Sequence, residues 1–333
     1  MSVGAQPEAS DHAHPDPQPF GTAVLLVAAI VIGSALGLFL SPSQEAMSQS
    51  IDVTILGMIG LLFFELRLSS VFRAFGNLRF LAIAWGANFL VVPLVGFAIA
   101  TLVFPDEPLL FIGLMLYFLA PCTDWFLAFT RMAQGNTELG AALIPINLVT
   151  QLLLFPLWLW LFTPTTSLVD VGAVAELLVQ WFLLPLVIAQ TLRMGLERLL
   201  PATRMERASA WTGHLLPLVL AALVLQIFAS RVGGITSQID VIALVAGAVL
   251  LFFGTIFFIG FGTARLARLA YPQHALLSMT LAARNAPLML ALVTVAIPNQ
   301  PLLLAVIVVG MLIEIPLLTV LKHLLLRRHP IQK

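Results

Sequence analysis

Long runs of apolar residues separated by short polar connections dominate this chain. Most runs approach the ~20 residues that a helix needs to cross the hydrocarbon core of a bilayer. None alternates apolar and polar positions over its length, as a transmembrane β-strand would, and only helices satisfy their own backbone groups in hydrocarbon. The pattern predicts an all-α integral membrane protein with ten transmembrane helices, over residues 20–40, 51–66, 78–104, 108–132, 139–163, 173–193, 211–229, 239–262, 273–298 and 301–326.

The composition agrees with a membrane protein and disfavours other classes. Hydrophobic residues make up 60% of the 333 and charged residues 10%, against about 45–50% and about 25% in soluble domains. The 16 basic and 16 acidic residues cancel, which argues against nucleic acid as a partner. The single cysteine, Cys122, excludes a disulfide framework and a multi-cysteine metal site. We therefore expect the lipid bilayer as a partner, and neither a metal ion nor a cofactor.

The charged loops predict how the chain is oriented. Residues 1–19 are polar and rich in proline, which predicts a disordered tail, and residues 327–333 form a short basic tail. With ten spans, every Lys and Arg except Arg231 and Arg284 falls on one side of the membrane. Because positive charge collects on the cytoplasmic side, we expect both termini in the cytoplasm and the chain in the plasma (inner) membrane.

An internal repeat relates two halves of the chain, residues 20–163 and 173–326. At a shift of about 163 residues, Gln151 superposes on Glu314. Each half holds five spans, an odd number, so the second half enters the membrane from the opposite face. This predicts two inverted five-helix repeats, an arrangement found in many secondary transporters.

Two spans of this repeat carry a proline at corresponding places, Pro121 in span 4 and Pro287 in span 9. Membrane helices tolerate proline as a simple packing kink. Two prolines at matching positions, each beside polar residues, instead favour helices that break near the bilayer midplane, where such breaks hold the solute in transporters. We therefore predict broken crossing helices at spans 4 and 9.

Three ionisable residues lie deep in the membrane on this map: Asp124, Arg284 and Glu314. Charge at that depth is costly, so such residues indicate a functional site. Arg284 can neutralise one carboxylate and leave the other to bind a cation or a proton; a structural ion pair that fixes a helix crossing is the alternative. We assign all three to ion or proton coupling. The uncharged Asn88 in span 3 is expected to form an interhelical hydrogen bond.

Other polar residues gather near the same two breaks. Asn147 and Gln151 are four residues apart on span 5 and share one helix face. Thr123 and Asn285 lie at the breaks of spans 4 and 9, where uncapped backbone groups carry partial charges. Cys122 precedes Thr123; thiolate is a soft ligand for thiophilic centres, although a buried cysteine is more often a small hydrophobe. We assign these five residues to substrate binding.

The stretch LAPCTDWFLAFTRMAQGNTELGAALIPINLVTQLLLFPLW, beginning at Leu119, resembles the fourth and fifth spans of the arsenite permeases. That family belongs to the bile acid:sodium symporter superfamily, whose members have ten spans in inverted five-span repeats with broken helices at spans 4 and 9. The resemblance is clear over residues 119–156 and 280–316 and extends to the rest of the chain as a common layout. It implies export of arsenite, and of antimonite in some members, in exchange for protons.

The resemblance also implies roles for individual residues. Cys122 matches the family cysteine implicated in arsenite transport, and would be the metalloid contact. Asn147, Asn285 and Glu314 match family residues on spans 5, 9 and 10. A neutral solute that leaves as a proton enters requires a titratable group in the path, for which Glu314 and Asp124 are the candidates.

The chain departs from the family pattern at three places, which marks it as a divergent member. Pro121 stands where the family often has an arginine, and Phe129 where it has a tryptophan. The span 9 run is Arg284-Asn285-Ala286-Pro287 and lacks the family glutamate. An arginine moved from span 4 to span 9 would keep the positive charge in the site.

Taken together, the sequence predicts a secondary active transporter that exports arsenite in exchange for protons. The alternative is a sodium-coupled symporter of an organic anion, which Arg284 would suit. A membrane sensor or scaffold is disfavoured because no soluble domain is evident, and an enzyme because the Walker, nucleophile-elbow and zinc motifs are missing. The expected partner is a small-molecule substrate, and the sequence leaves the oligomeric state open.

Overall fold

A computed structural model describes residues 19–39, 41–66, 77–122, 125–162, 176–236, 239–297 and 300–327. Within those residues every regular element is helical, apart from one isolated two-residue β-bridge, which confirms the all-α prediction. The predicted tails, up to residue 18 and from residue 328, lie outside the described residues. The helices are α1 (Pro19–Phe39), α2 (Ser41–Glu65), α3 (Leu78–Val103), α4 (Pro108–Phe118), α5 (Trp125–Met132), α6 (Thr137–Phe162), α7 (Glu176–Leu199), α8 (Ala202–Thr236), α9 (Ile239–Leu266), α10 (Tyr271–Ala282), α11 (Ala286–Ala296) and α12 (Pro301–Leu326).

Eight of these helices are long and apolar enough to cross a membrane. They are α1, α2, α3, α6, α7, α8, α9 and α12, and each coincides with a predicted span. Predicted spans 4 and 9 are each divided into two shorter helices, α4 with α5 and α10 with α11. The count of ten spans and the inverted repeat therefore remain predictions.

The breaks predicted in spans 4 and 9 are present. α4 ends at Phe118 and α5 begins at Trp125, while α10 ends at Ala282 and α11 begins at Ala286. The second break precedes Pro287, which lies in the first turn of α11. A proline fits there because the missing N–H has no partner within the helix anyway. Pro287 thus begins the second half-helix, and the break itself lies a few residues earlier.

α2 and α8 extend furthest beyond the spans predicted for them. Span 7, predicted over residues 211–229, lies within the helix Ala202–Thr236. The helix Ser41–Glu65 begins ten residues before span 2, which was predicted over residues 51–66, and ends one residue before it. The apolar pattern marks only the part of a helix that faces lipid or core. Residues 202–208 continue the helix because Ala, Met, Glu and Arg are good helix formers.

Contacts divide the helices into two groups. One contains α1, α2, α7 and α8, and the other contains α3 to α6 and α9 to α12. α12 is the most enclosed of the candidate spans. In its most apolar stretch 61% of the residues are buried, against 22–44% in the other seven. All four halves of the interrupted helices contact α12, which also touches α1 and α8. α12 therefore positions the two breaks and links the two groups.

Candidate functional site

The two interrupted helices are joined at their breaks by backbone hydrogen bonds. The N–H of Cys122 donates to the carbonyl oxygen of Ala283 at 3.1 Å, and the N–H of Asn285 donates to that of Ala120 at 2.8 Å. A break in a membrane helix frees backbone groups that have no water to bind. Here each break supplies the other's missing partners, so the two interruptions stabilise one another.

These bonds form an antiparallel bridge that pairs Pro121 with Arg284. The two positions differ by 163, the shift at which the halves of the sequence superpose. A two-fold axis between two copies of a unit brings equivalent positions together. The pairing is therefore the one that an inverted repeat would produce.

The Arg284 guanidinium is fully buried between the ends of α4 and α10. Phe252 of α9 covers it, with 5.6 Å between the guanidinium carbon and the ring centroid, a cation–π arrangement. Backbone carbonyls at both helix ends thus surround a buried positive charge. The oxygens that accept from its N–H groups belong to Phe118 at 2.7 Å, Thr280 at 3.1 Å, Leu281, and Ala282 at the longer distance of 3.4 Å.

Glu314 of α12 lies on the other side of Arg284. One carboxylate oxygen accepts from the backbone N–H of Arg284 at 2.9 Å, and the other accepts from the Tyr117 hydroxyl at 3.0 Å. A Cβ atom at Gly310 would lie 2.7 Å from the Tyr117 ring, so the ring reaches Glu314 only because residue 310 is glycine. We call Tyr117, Arg284 and Glu314 the carboxylate cluster.

This geometry refines the expected charge pairing of Arg284. The sequence suggested that its guanidinium neutralises a carboxylate in the membrane. Arg284 does contact Glu314, but through its backbone N–H, while the guanidinium turns to the helix-end carbonyls. Arg284 therefore holds two helix ends together at the same time as it positions Glu314.

A second group of polar side chains surrounds Thr280. The side-chain amides of Asn88 and Asn147 both donate to the Thr280 hydroxyl oxygen, at 3.2 and 3.5 Å, which confirms the interhelical hydrogen bond expected for Asn88. Gln151 lies one turn further along the same face of α6. We call Asn88, Asn147, Gln151 and Thr280 the amide cluster. It adjoins the carboxylate cluster, because the Thr280 carbonyl accepts from Arg284.

The position of Asn88 depends on an irregular turn of α3. Residues Ala87–Val91 form a π-helical turn, and Pro93 follows immediately in the next α-helical segment. Proline has no N–H and its ring collides with the carbonyl four residues earlier, so the wider turn accommodates it. Such π-turns often occur at functional sites, and this one carries Asn88 into the amide cluster.

The amide cluster contains buried polar atoms without hydrogen-bond partners. Among the described residues these include the side-chain oxygens of Asn88 and Asn147, and both the oxygen and the nitrogen of Gln151. All three side chains are at least 98% buried. Buried polar groups are normally hydrogen-bonded, and exceptions call for an explanation such as a functional role or a bound water or ion. The cluster offers hydrogen-bond acceptors and a donor that a polar solute can use.

Two further predicted site residues, Cys122 and Asn285, lie at the bridge. Cys122 is 1% exposed and takes part in it. The Asn285 side chain accepts from the backbone N–H of Leu288 and so caps the start of α11. Thr123 and Asp124 lie outside the described residues. The structure thus brings together six of the eight predicted residues, in or beside the two clusters.

Two residues of the site were not identified from the sequence: Tyr117 and Thr280. Both have plausible roles as ordinary core residues in apolar helices, so nothing local distinguishes them. The shift of the internal repeat distinguishes them, because Tyr117 and Thr280 are 163 positions apart, as Gln151 and Glu314 are. Comparing every polar residue of the spans at that shift would have found both.

The described residues provide no group of three or more His, Cys, Asp or Glu side chains that could hold a metal ion. What they provide is a bundle of apolar helices, two interrupted helices joined at their breaks, and a buried polar site beside them. This is the architecture of a membrane transporter, in which broken helices place backbone groups and polar side chains at the solute site.

Comparison with known proteins agrees with this class. Residues 51–240, more than half of the chain, match the model of the sodium bile acid symporter family. The chain belongs to that family, and it is a multi-pass membrane protein. It is also 26% identical, over 324 aligned residues, to the arsenical-resistance protein Acr3 of Corynebacterium glutamicum; the alignment covers 89% of this chain and 86% of that protein.

Proposed function

We propose that this protein is a secondary active transporter that exports arsenite, or its heavier analogue antimonite, from the cell in exchange for protons. The relative named for arsenical resistance aligns with most of the chain. The observation that carries the proposal is the position of Cys122. The one cysteine of the chain is buried in the bridge between the two interrupted helices.

The polar groups of the site suit arsenite chemically. At neutral pH arsenite is the uncharged arsenous acid, which combines a thiophilic arsenic atom with hydroxyl groups. The Cys122 thiol is a soft ligand for the arsenic. The unpartnered oxygens of Asn147 and Gln151 are acceptors for the hydroxyl groups. Since a single thiol holds arsenic weakly, the solute can leave again.

Glu314 is the described residue that best serves proton coupling. It is 2% exposed and sits beside the bridge, where its carboxylate contacts both Arg284 and Tyr117. Exchange requires a group that is protonated from one side of the membrane and deprotonated toward the other. Asp124, next to Thr123 after Cys122, is the second candidate. We place both termini in the cytoplasm and the protein in the plasma membrane.

The alternative is a sodium-coupled symporter of an organic anion, which the name of the family favours. In that reading Arg284 would bind the anionic group. Its guanidinium, however, already donates to several backbone carbonyls at the ends of α4 and α10. A cation that is committed in this way has little left to offer an anion, which supports the first proposal.

A resistance assay tests the proposed substrate. The protein is expressed in a bacterium that lacks its own arsenite exporters, and growth is followed against arsenite concentration. We expect resistance from the wild type, little from Cys122→Ser or Glu314→Gln, and full resistance from Glu138→Gln, which removes an exposed carboxylate at the start of α6. Membrane levels of each variant are measured in parallel. Absence of resistance from well-expressed wild-type protein would refute arsenite export.

A vesicle assay tests the coupling ion. Everted membrane vesicles accumulate arsenite under an imposed pH gradient, with sodium present or replaced by choline. We expect accumulation to follow the pH gradient and to ignore sodium. Accumulation that requires sodium and ignores pH would favour the alternative.

A further inference from the structure

Two helices end at the same place in this fold, and their carbonyl ends converge. α4 ends at Phe118 and α10 at Ala282. The last carbonyls of a helix have no partner within it and carry the negative end of the helix dipole. Two such ends at membrane depth create a negative, oxygen-lined position.

In membrane transporters, carbonyls at the C-terminal ends of half-helices are ligands for a coupling sodium ion. Here the same kind of position already contains a positive charge. The guanidinium of Arg284 donates to Phe118 on one helix end and to Thr280 and neighbouring carbonyls on the other. Phe252 closes the remaining side, and the group is fully buried.

We propose that Arg284 is a tethered cation that occupies the place of a sodium ion between the ends of α4 and α10. The inference rests on the proposed function only in requiring a carrier that works without sodium. The guanidinium satisfies the same oxygens and the same dipoles that an ion would, but it stays bound in every state of the transport cycle. Transport then depends on a proton at another group and needs no sodium at this position.

A purely structural cap makes a different prediction. If Arg284 only satisfies the helix ends, its removal weakens the protein equally in any salt. If it occupies a cation position, its removal leaves carbonyl oxygens and dipole ends that a small cation can bind. Sodium should then stabilise the variant and leave the wild type unaffected.

The experiment measures the thermal unfolding of purified protein in lipid nanodiscs, without arsenite. Sodium chloride is compared with choline chloride at equal ionic strength for the wild type, Arg284→Ala, and the control Arg265→Ala, which removes an exposed arginine in the last turn of α9. We expect a saturable rise in Tm of roughly 2–5 °C with sodium for Arg284→Ala alone. The wild type and the Arg265→Ala protein should show no difference between the two salts.

Methylguanidinium chloride at low concentration provides a second probe of the Arg284→Ala protein. It should raise the Tm as sodium does, because it restores the lost group. Stabilisation by methylguanidinium without any effect of sodium would overturn the proposal, since the position would then fit only a guanidinium. Indifference of a folded Arg284→Ala protein to both ions would overturn it as well.

The wild type also tests the proposal by itself if Arg284→Ala does not fold. A saturable sodium-dependent rise in its Tm would show that Arg284 does not replace the ion, whereas equal Tm values in both salts support the replacement. Because no step uses arsenite, a negative resistance assay leaves this result unaffected. A positive resistance assay likewise stands if the sodium experiment fails.

Discussion

The carboxylate cluster and the amide cluster adjoin one another but differ in how fully their polar groups are hydrogen-bonded. The shift of 163 residues relates Tyr117 to Thr280, and Gln151 to Glu314. In the carboxylate cluster both Glu314 oxygens have partners and the Arg284 guanidinium donates to several carbonyls. In the amide cluster three side chains leave buried polar atoms without partners among the described residues.

This difference separates two tasks that a carrier must combine. In the carboxylate cluster the Arg284 guanidinium is held by backbone carbonyls alone, which suits a permanent part of the site that fixes helix ends and positions Glu314. The amide cluster is neutral and incompletely bonded, which suits a place where a polar solute binds and leaves. Variants that disturb the hydrogen bonding or packing of one cluster at a time provide the sharpest tests of this difference.

The largest effect on stability is expected from Gly310→Ala. The new Cβ atom would lie 2.7 Å from the Tyr117 ring, so the ring must move and the hydroxyl loses Glu314. Overpacking of a core costs about 1–3 kcal/mol, and leaving a buried group unsatisfied costs about 1–3 kcal/mol more. We expect Gly310→Ala to lower the free energy of unfolding by about 3 kcal/mol, measured by denaturant titration in mixed micelles.

Gly247→Ala is the matched control. Gly247 lies in α9 with open space where a Cβ atom would be, so alanine should be neutral or stabilise the helix by up to about 1 kcal/mol. If Gly310→Ala proved as stable as Gly247→Ala, Tyr117 would not be confined against α12. The carboxylate cluster would then not be tightly packed.

A smaller effect is expected from removing one hydroxyl in each cluster. Tyr117→Phe leaves a Glu314 oxygen buried without its 3.0 Å partner, which should cost about 2 kcal/mol. Thr280→Val removes the neutral acceptor of two longer bonds, from Asn88 at 3.2 Å and from Asn147 at 3.5 Å, and should cost about 1 kcal/mol, because the bonds of uncharged groups are the weaker ones. The two unfolding titrations should rank in that order; the reverse order would contradict the contrast between the clusters.

The sequence predicted the helices well because hydrocarbon leaves the backbone no other choice. It also located the breaks to within a few residues, since Pro121 and Pro287, each beside polar residues, interrupt otherwise apolar spans. Asn88 was predicted to bond between helices because a polar side chain in an apolar helix needs a partner. These predictions depend on local chemistry, which a single sequence contains.

The sequence could not predict where the long side chains point. The Arg284 guanidinium could have turned to a carboxylate or to carbonyls, and it turns to carbonyls because two helix ends meet beside it. Tyr117 looks like an ordinary core residue in an apolar run, and its hydroxyl acquires a role only because Gly310 lies opposite. The π-turn that positions Asn88 likewise depends on how α3 packs around Pro93. Each of these features arises from tertiary packing.

The smallest effect on stability, together with a large effect on transport, is expected from Gln151→Leu. The Gln151 amide is buried and neither of its polar atoms has a partner in the described structure. Replacing it with an apolar side chain of similar size breaks no hydrogen bond and removes an uncompensated desolvation cost, so stability should stay within about 1 kcal/mol of the wild type or rise. Arsenite resistance should fall, because the solute loses an acceptor.

Gln226→Leu is the matched control for that variant. Gln226 lies on α8, in the other group of helices, and its side-chain oxygen also lacks a partner among the described residues. Its replacement should leave both stability and resistance unchanged. A fall in stability of several kcal/mol for Gln151→Leu would mean that the amide has a structural partner, and unchanged resistance would mean that the solute does not use it. Stability and resistance are measured separately for both variants. Loss of resistance without loss of stability, in Gln151→Leu alone, would identify the Gln151 amide as part of a solute-binding site and not as a packing defect of the core.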